Sequence, residues 1–195
     1  MQVNPILLDI PHQFESSRLI LRTPLDGDSN ITFPAIQESI GILQSWLPKG
    51  QIPSSAEDTE ELLREIRTEM LMRRVIHLLI FRQDTGDFVG ETRLHRIDWS
   101  IPSASLGFWV RASMQGEGYM SEAVNRVIDI SFDLFNMVRV QLLIDTENSA
   151  TQRVAEKVGF TLEGTFRNHH RRNNGELTNA MVYSIIPSDR GNQTT

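Results

Sequence analysis

Cysteine is absent from the 195 residues, which excludes disulfides, thiolate-held metals and a cysteine nucleophile and fits a reducing compartment. Long apolar runs are missing as well. No stretch approaches the ~20 consecutive apolar residues of a membrane helix, and the N-terminal segment, with Asp9 and Glu15, lacks a basic region followed by an apolar one. A cytoplasmic protein without a membrane partner is therefore expected. Nor is there an excess of positive charge: 19 Lys and Arg against 25 Asp and Glu leave −6. That balance argues against general nucleic-acid binding and suits a cationic partner such as an amine. The common nucleotide motifs, a phosphate loop ending in Lys-Ser/Thr and Gly-x-Gly-x-x-Gly, are both lacking.

What is present is enough apolar material, 39% of the chain, for one sizeable core and hence one domain. Residues 1–15 read as a loosely held lead-in, 16–187 as the domain and 188–195 as a polar tail. Arg18 to Arg22 forms a first strand. Phe33, Ile36, Ile40, Leu43 and Leu47 recur at helical spacing across 31–47, closed by the breaker Pro48-Lys49-Gly50. Ser54-Ser55-Ala56-Glu57 looks like a capping box for a second helix with Leu62, Leu63, Ile66 and Met70 on one face. Strands are expected at 77–82, 88–97 and 105–110, a helix after Gly118, a strand over 138–144, and a short helix over 150–158 stopped by Gly159. Two closing strands, around 160–166 and 177–186, complete the domain.

The most informative stretch runs from Gly107 to Ala123, a strand entering a helix through Gln115-Gly116-Glu117-Gly118-Tyr119-Met120-Ser121. Glycines let a backbone approach an anion closely, and the first N–H groups of a helix are unpaired at the positive end of its dipole. Such a turn can hold a pyrophosphate without a lysine; it can equally be a plain tight connection. About thirty residues on comes Asn148-Ser149-Ala150-Thr151-Gln152-Arg153-Val154-Ala155-Glu156-Lys157-Val158-Gly159-Phe160. The first segment resembles the Gln/Arg-x-x-Gly-x-Gly/Ala signature of the GNAT N-acetyltransferase superfamily. The second resembles that superfamily's Asn-x-x-Ser/Thr segment ending in Glu-Lys-x-Gly-Phe. Ser17 to Arg22, Trp46-Leu47-Pro48, Leu106 to Val110 and Leu162-Glu163-Gly164-Thr165 are similar to its RimJ/RimL group, whose members acetylate protein N-termini, including those of ribosomal proteins, or small amines. The resemblance spans about 16–186. Three positions depart from the pattern: Met120 stands where Gly or Ala is usual, Ala155 where many members carry a tyrosine acid, and Ser105 where some carry a glutamate base.

The resemblance implies an α/β (α+β) domain whose central, mostly antiparallel sheet splays in the middle to lodge acetyl-CoA. By the same resemblance, the backbone of Phe108, Trp109 and Val110 would pair with the pantetheine arm, and the amides from Gln115 through Ser121, Gly116, Glu117, Gly118, Tyr119 and Met120 included, would cradle the pyrophosphate. Asn148 would reach the pantetheine amides unless it is only a helix cap, and Arg153 would approach the cofactor. Thr151 would donate a hydrogen bond to the leaving sulfur, or else bond back to its own helix. His170 or Glu91 would be the base, with His95 a further candidate, since a histidine is the natural base near neutral pH; water could also relay the proton. Trp46, Glu91 and His95 would contact the acceptor, and no metal site is expected. The acceptor is an amine, either a protein N-terminus or a small molecule. A homodimer is possible, and a non-catalytic acyl-CoA sensor is the rival reading.

Overall fold

The computed structural model describes residues 4–48 and 50–190; Lys49 and the tail beyond Arg190, both named in the sequence reading, lie outside them. Eight strands form one sheet in the order β1-β2-β3-β4-β5-β6-β8-β7. They are β1 (Gln13–Glu15), β2 (Leu19–Arg22), β3 (Ile76–Arg82), β4 (Phe88–Asp98), β5 (Ser103–Val110), β6 (Arg139–Asp145), β7 (Thr161–Arg171) and β8 (Leu177–Ile185). The helices are α1 (Ser29–Glu38), α2 (Ile40–Trp46), α3 (Ala56–Leu71), α4 (Tyr119–Asp133), α5 (Ser149–Val158) and α6 (Pro187–Arg190). No helix among the described residues is long and apolar enough to cross a membrane.

Every strand pair is antiparallel except β5 with β6, which is parallel and holds for only three rungs, Ser103 with Arg139, Ala104 with Val140 and Ser105 with Gln141. Beyond Ser105 the two strands separate while each stays paired on its outer side, β5 to β4 as far as Val110 and β6 to β8 as far as Asp145. The last rung is fastened by Gln141 Nε2 donating to Ser105 Oγ at 3.2 Å. A wedge-shaped gap thus opens in mid-sheet, and its two walls keep backbone groups with no strand to pair with.

The larger core packs α4 and α5 against one face of the sheet: Val124, Val127 and Ile128 from α4 meet Leu19, Leu78, Ile80 and Leu142. Each such aliphatic side chain contributes about 1.5–3 kcal/mol on full burial. On the other face Ala35, Leu79, Phe81 and Phe88 form a smaller cluster under α1. Gly159 ends α5 in the left-handed conformation, φ 93°, its N–H bonded to the carbonyls of Ala155 and Glu156, as the sequence placed it.

Three local differences from the sequence reading have physical causes. The helix expected over 31–47 is two helices, α1 and α2, meeting at Ser39 (φ −98°, ψ 4°), whose Oγ accepts the amide of Ala112 at 3.0 Å. The cap of α3 is Ser55, whose Oγ accepts from the Asp58 amide at 3.0 Å, one residue later than the box was placed. Gln13–Glu15, inside the lead-in, is a strand on β2 with Phe14 buried; three residues are too short to show a period.

Candidate active site

A cavity of about 1150 Å³ follows the gap, from the turn before α4 at one end to the inner faces of α1, α2 and α3 at the other. Its first end is built by the backbone. Gly116 and Gly118 take φ of 83° and 78°, values that L side chains rarely adopt, and Gly118 is the N-cap of α4. No side-chain or carbonyl acceptor among the described residues meets the amides from Gly116 to Ser121, the first bond into the helix being Glu122 N–H to the Gly118 carbonyl at 3.1 Å. Six consecutive unpaired N–H groups at a helix entrance form a ready anion site.

The turn is braced from outside. Glu38 accepts from the Ser113 amide at 2.8 Å and from Arg111 Nε at 2.6 Å. Glu122, in the first turn of α4, accepts from Arg18 N at 2.7 Å, Arg18 Nε at 2.7 Å and Ser16 Oγ at 2.8 Å. The Arg18 guanidinium lies over the Tyr119 ring, 4.5 Å from its centre. A side-chain atom added at Gly118 would stand 3.7 Å from both Arg18 Nη2 and Lys157 Nζ, so two cations flank the amides. Lys157, in the Glu-Lys-x-Gly-Phe segment, also lines the cavity. Glu38, Ser39, Arg18 and Lys157 escaped the sequence reading. Only Lys157 carried a signal, its place in that segment; the others act across long sequence separations.

The middle of the cavity is lined by Phe108, Trp109 and Val110 on one wall and by Asn148, Thr151, Arg153 and Val154 on the other. Asn148 Oδ1 accepts from the Thr151 amide at 3.1 Å and caps α5, so its carboxamide is committed in part to the helix while still facing the gap. Thr151 Oγ1 makes no hydrogen bond among the described residues, unlike Thr32, whose hydroxyl donates to the carbonyl four residues back at 3.0 Å. Ala155, at the tyrosine position, is fully buried and contributes no acid.

At the far end Glu91 and Arg93 project from β4 beneath an apolar wall of Ile36, Leu43, Trp46, Leu62 and Ile66. The Glu91 side chain is 25% exposed, and its Oε2 lies 3.2 Å from His77 Nε2. Burial alone would raise its pKa; the His77 ring, the Trp109 side chain and the Arg93 charge together outweigh burial and hold it below the ordinary 4.5. Asp58 is the other carboxylate on the lining, but it is taken up by Ser54, whose amide and hydroxyl donate to Oδ2 at 3.2 and 2.5 Å.

Of the residues singled out from sequence, the cavity brings together Trp46, Glu91, Phe108, Trp109, Val110, Gln115, Gly116, Gly118, Tyr119, Met120, Ser121, Asn148, Thr151 and Arg153. Three stand apart from its lining. The Glu117 carbonyl instead accepts from Arg18 Nη1 at 3.2 Å. His95 is on β4, on the same face as Glu91 and Arg93 but further along the strand, opposite Ser105, its Nε2 3.7 Å from the place a Gly107 side chain would occupy; burial, then the charges of Arg93 and Arg96, depress its pKa to about 4. His170 is on β7, opposite Thr178, with its pKa lowered by burial and by His169. β7 runs on to Arg171, past the 160–166 expected, up to the β7–β8 hairpin turn, and Arg172 beyond it pairs with Asp145 and Glu147, each at 2.9 Å.

A model of the acetyltransferase (GNAT) domain matches residues 18–161. The chain belongs to that family. It is an acyltransferase of the N-acetyltransferase type, with acetyl-CoA as cosubstrate. An uncharacterized N-acetyltransferase, YoaA of Bacillus subtilis (strain 168), is 26% identical over 175 residues, 88% of this chain and 95% of its own. The ribosomal-protein-serine acetyltransferase of Escherichia coli (strain K12) is 28% identical over 127 residues, 64% of this chain and 69% of its own. Among solved structures, RimL, a ribosomal L7/L12 alpha-N-protein acetyltransferase in complex with coenzyme A, shares the fold with a TM-score of 0.82 at 23% identity, covering 88% of this chain and 95% of that one. The residues present fit the GNAT cosubstrate: unpaired amides for an anion, flanking cations, and an open strand edge leading to a carboxylate.

Proposed function

We propose that the chain acetylates the N-terminal α-amine of a protein, with the cosubstrate held along the gap between β5 and β6. The observation that carries this reading is the acceptor end of the cavity, where Glu91 stands beneath an apolar wall; Asp58, its Oδ2 bonded by the Ser54 amide and hydroxyl, is the other carboxylate on the described lining. The Glu91 carboxylate suits the amine, and the apolar wall matches the side chains that follow it.

Acetyl-CoA supplies a thioester carbonyl as the electrophile. Gly116 to Ser121 would hold its diphosphate, with Arg18 and Lys157 adding charge, and the open edge of Phe108, Trp109 and Val110 would align the pantetheine arm and offer an N–H to the developing oxyanion. Thr151 Oγ1, free of its own helix, would donate to the departing sulfur. Glu91 would take the proton shed by nitrogen as the C–N bond forms. An α-amine, with a pKa of about 8, is already partly neutral at pH 7, so Glu91 is not required to deprotonate a strongly basic ammonium. His95, held to about 4, is no stronger a base than Glu91 and lies outside the residues that line the cavity.

The test is thiol release from acetyl-CoA with three acceptors: a hexapeptide amide Ser-Leu-Ala-Ala-Ala-Ala, an N-formylated peptide with one free lysine, and spermidine. The free α-amine is expected to turn over at least tenfold faster than the others. Preference for lysine or spermidine would overturn the acceptor assignment, and cofactor binding without release in any arm would favour the sensor reading.

A further inference from the structure

On the sheet face beneath α1 and α3 lies a titratable group with no part in the chemistry above. His77 on β3 is 1% exposed, and neither ring nitrogen has a hydrogen-bond partner among the described residues. Its Nε2 stands 3.2 Å from Glu91 Oε2, near enough for charge to act but outside hydrogen-bond alignment. The register explains the meeting: His77 opposes Arg93 and Leu79 opposes Glu91, so His77 and Glu91 are diagonal neighbours on one face. The buried residues that α1 and α3 bring down, Thr32, Ala35 and Ile36 with Leu63, Ile66 and Met70, carry no charge. Trp109 stands opposite Glu91 on β5, and Arg93 is the remaining charged neighbour.

We propose that His77 is the positioning residue for Glu91, holding its carboxylate turned to the cavity so that it can take the proton shed by the attacking amine. The inference rests on the amine-acetylation reading, in which Glu91 is that acceptor. Burial presses a carboxylate toward its neutral form unless donors or cations stand against it, and the imidazole, 3.2 Å away, is the first of these, followed by the Trp109 side chain and the Arg93 charge. The chemistry balances without a change at His77. The neutral amine nitrogen forms the C–N bond, becomes cationic and acidic, and gives one proton to Glu91; the C–S bond breaks, and the thiolate leaves with a proton donated at the sulfur. Glu91 returns its proton to solvent.

Two measurements test it. The first needs no acceptor: the side-chain carboxyl of Glu91 is titrated by 13C NMR in the protein alone. Its midpoint, below 4.5 in the parent, is expected to rise by about one pH unit or more in His77→Leu, with part of the rise reversed in His77→Gln, which keeps an N–H donor; an unmoved midpoint overturns the proposal. The second follows turnover of Ser-Leu-Ala-Ala-Ala-Ala amide. His77→Leu is expected to lower kcat at least tenfold with KM for acetyl-CoA unchanged, and His77→Gln to recover part of it. Loss of melting temperature and active fraction alone, with the midpoint and kcat per active site unchanged, marks His77 as merely structural and overturns it. If no amine is acetylated by the parent chain, the amine reading fails, while the carboxyl titration still decides the pairing.

Discussion

Replacing Thr151 by valine isolates one oxygen. The residue is on α5 facing the gap; its amide is bonded to Asn148 Oδ1 at 3.1 Å, and its hydroxyl has no partner within the described protein. Valine keeps the shape and the amide bond, so the helix cap survives. A half-buried hydroxyl without a protein partner leaves no orphan behind, and stability should change by no more than about 0.5 kcal/mol, the range of substitutions that break no named interaction. The transition state should lose one donor at the sulfur. Losing a single preorganised donor to a developing charge costs 10²–10³ in turnover in the strongest cases, and a threonine hydroxyl aimed at a thiolate sits at the weaker end. A tenfold to hundredfold fall in kcat is expected, about 1.4–2.7 kcal/mol by the transition-state relation. KM for acetyl-CoA should stay within twofold, and Thr151→Ser should retain most of the parent rate. The assay is thiol release at saturating peptide with melting curves alongside. A valine variant with undiminished kcat would refute the donor role, and one that lost cofactor affinity instead would place Thr151 in ground-state binding.

Other consequences follow from the same geometry. A side-chain atom at Gly90 would lie 2.2 Å from the Trp109 carbonyl oxygen, backbone that cannot step aside, so Gly90→Ala should destabilise the protein by about 3 kcal/mol and lower the melting temperature by about 6–12 °C; a shift under about 2 °C would contradict the close β4–β5 approach. Glu38→Ala releases the braces on Ser113 and Arg111 and should raise KM for acetyl-CoA about threefold to tenfold with kcat nearly unchanged, read by initial rates. His95, half-buried and held to about 4 against an ordinary 6.5, binds its proton more readily in the unfolded chain. Its stability contribution is therefore fully present above pH 6.5 and declines as pH falls toward 4. Urea denaturation should show less pH dependence in that window for His95→Gln, and an NMR midpoint for His95 near 6.5 would contradict the burial argument.

Much of the fold could be read from the chain because its strongest signals are local. Gly159 closing α5, the glycines before α4 and the alternation of Val140, Leu142 and Ile144 in β6 each express a rule satisfied within a few residues. What stayed hidden is set by distant partners. Ser39, at the junction of α1 and α2, takes the Ala112 amide, and Glu38 beside it braces Arg111 and Ser113; nothing in residues 31–47 announces those partners. The site shows the same division. The anion turn and Thr151 were legible because a motif is a local arrangement, whereas the choice among Glu91, His95 and His170 depends on how far along β4 the cavity reaches and on where β7 lies. Only the register of β3, β4 and β5 turns Glu91 toward the gap and sets His77 beside it. Lysine 157 occupies an intermediate place: it lay within a recognised segment, but its reach to Gly118 appears only when α5 crosses the entrance of α4.

The account depends most on the six unpaired amides at the entrance to α4. Titrating 15N-labelled protein with coenzyme A and following the backbone resonances addresses them directly. Saturable shifts are expected, largest from Gly116 to Ser121 and extending along Phe108 to Val110, with one cofactor bound per chain. Folded protein whose amides at 116–121 stay unmoved under excess coenzyme A would contradict it.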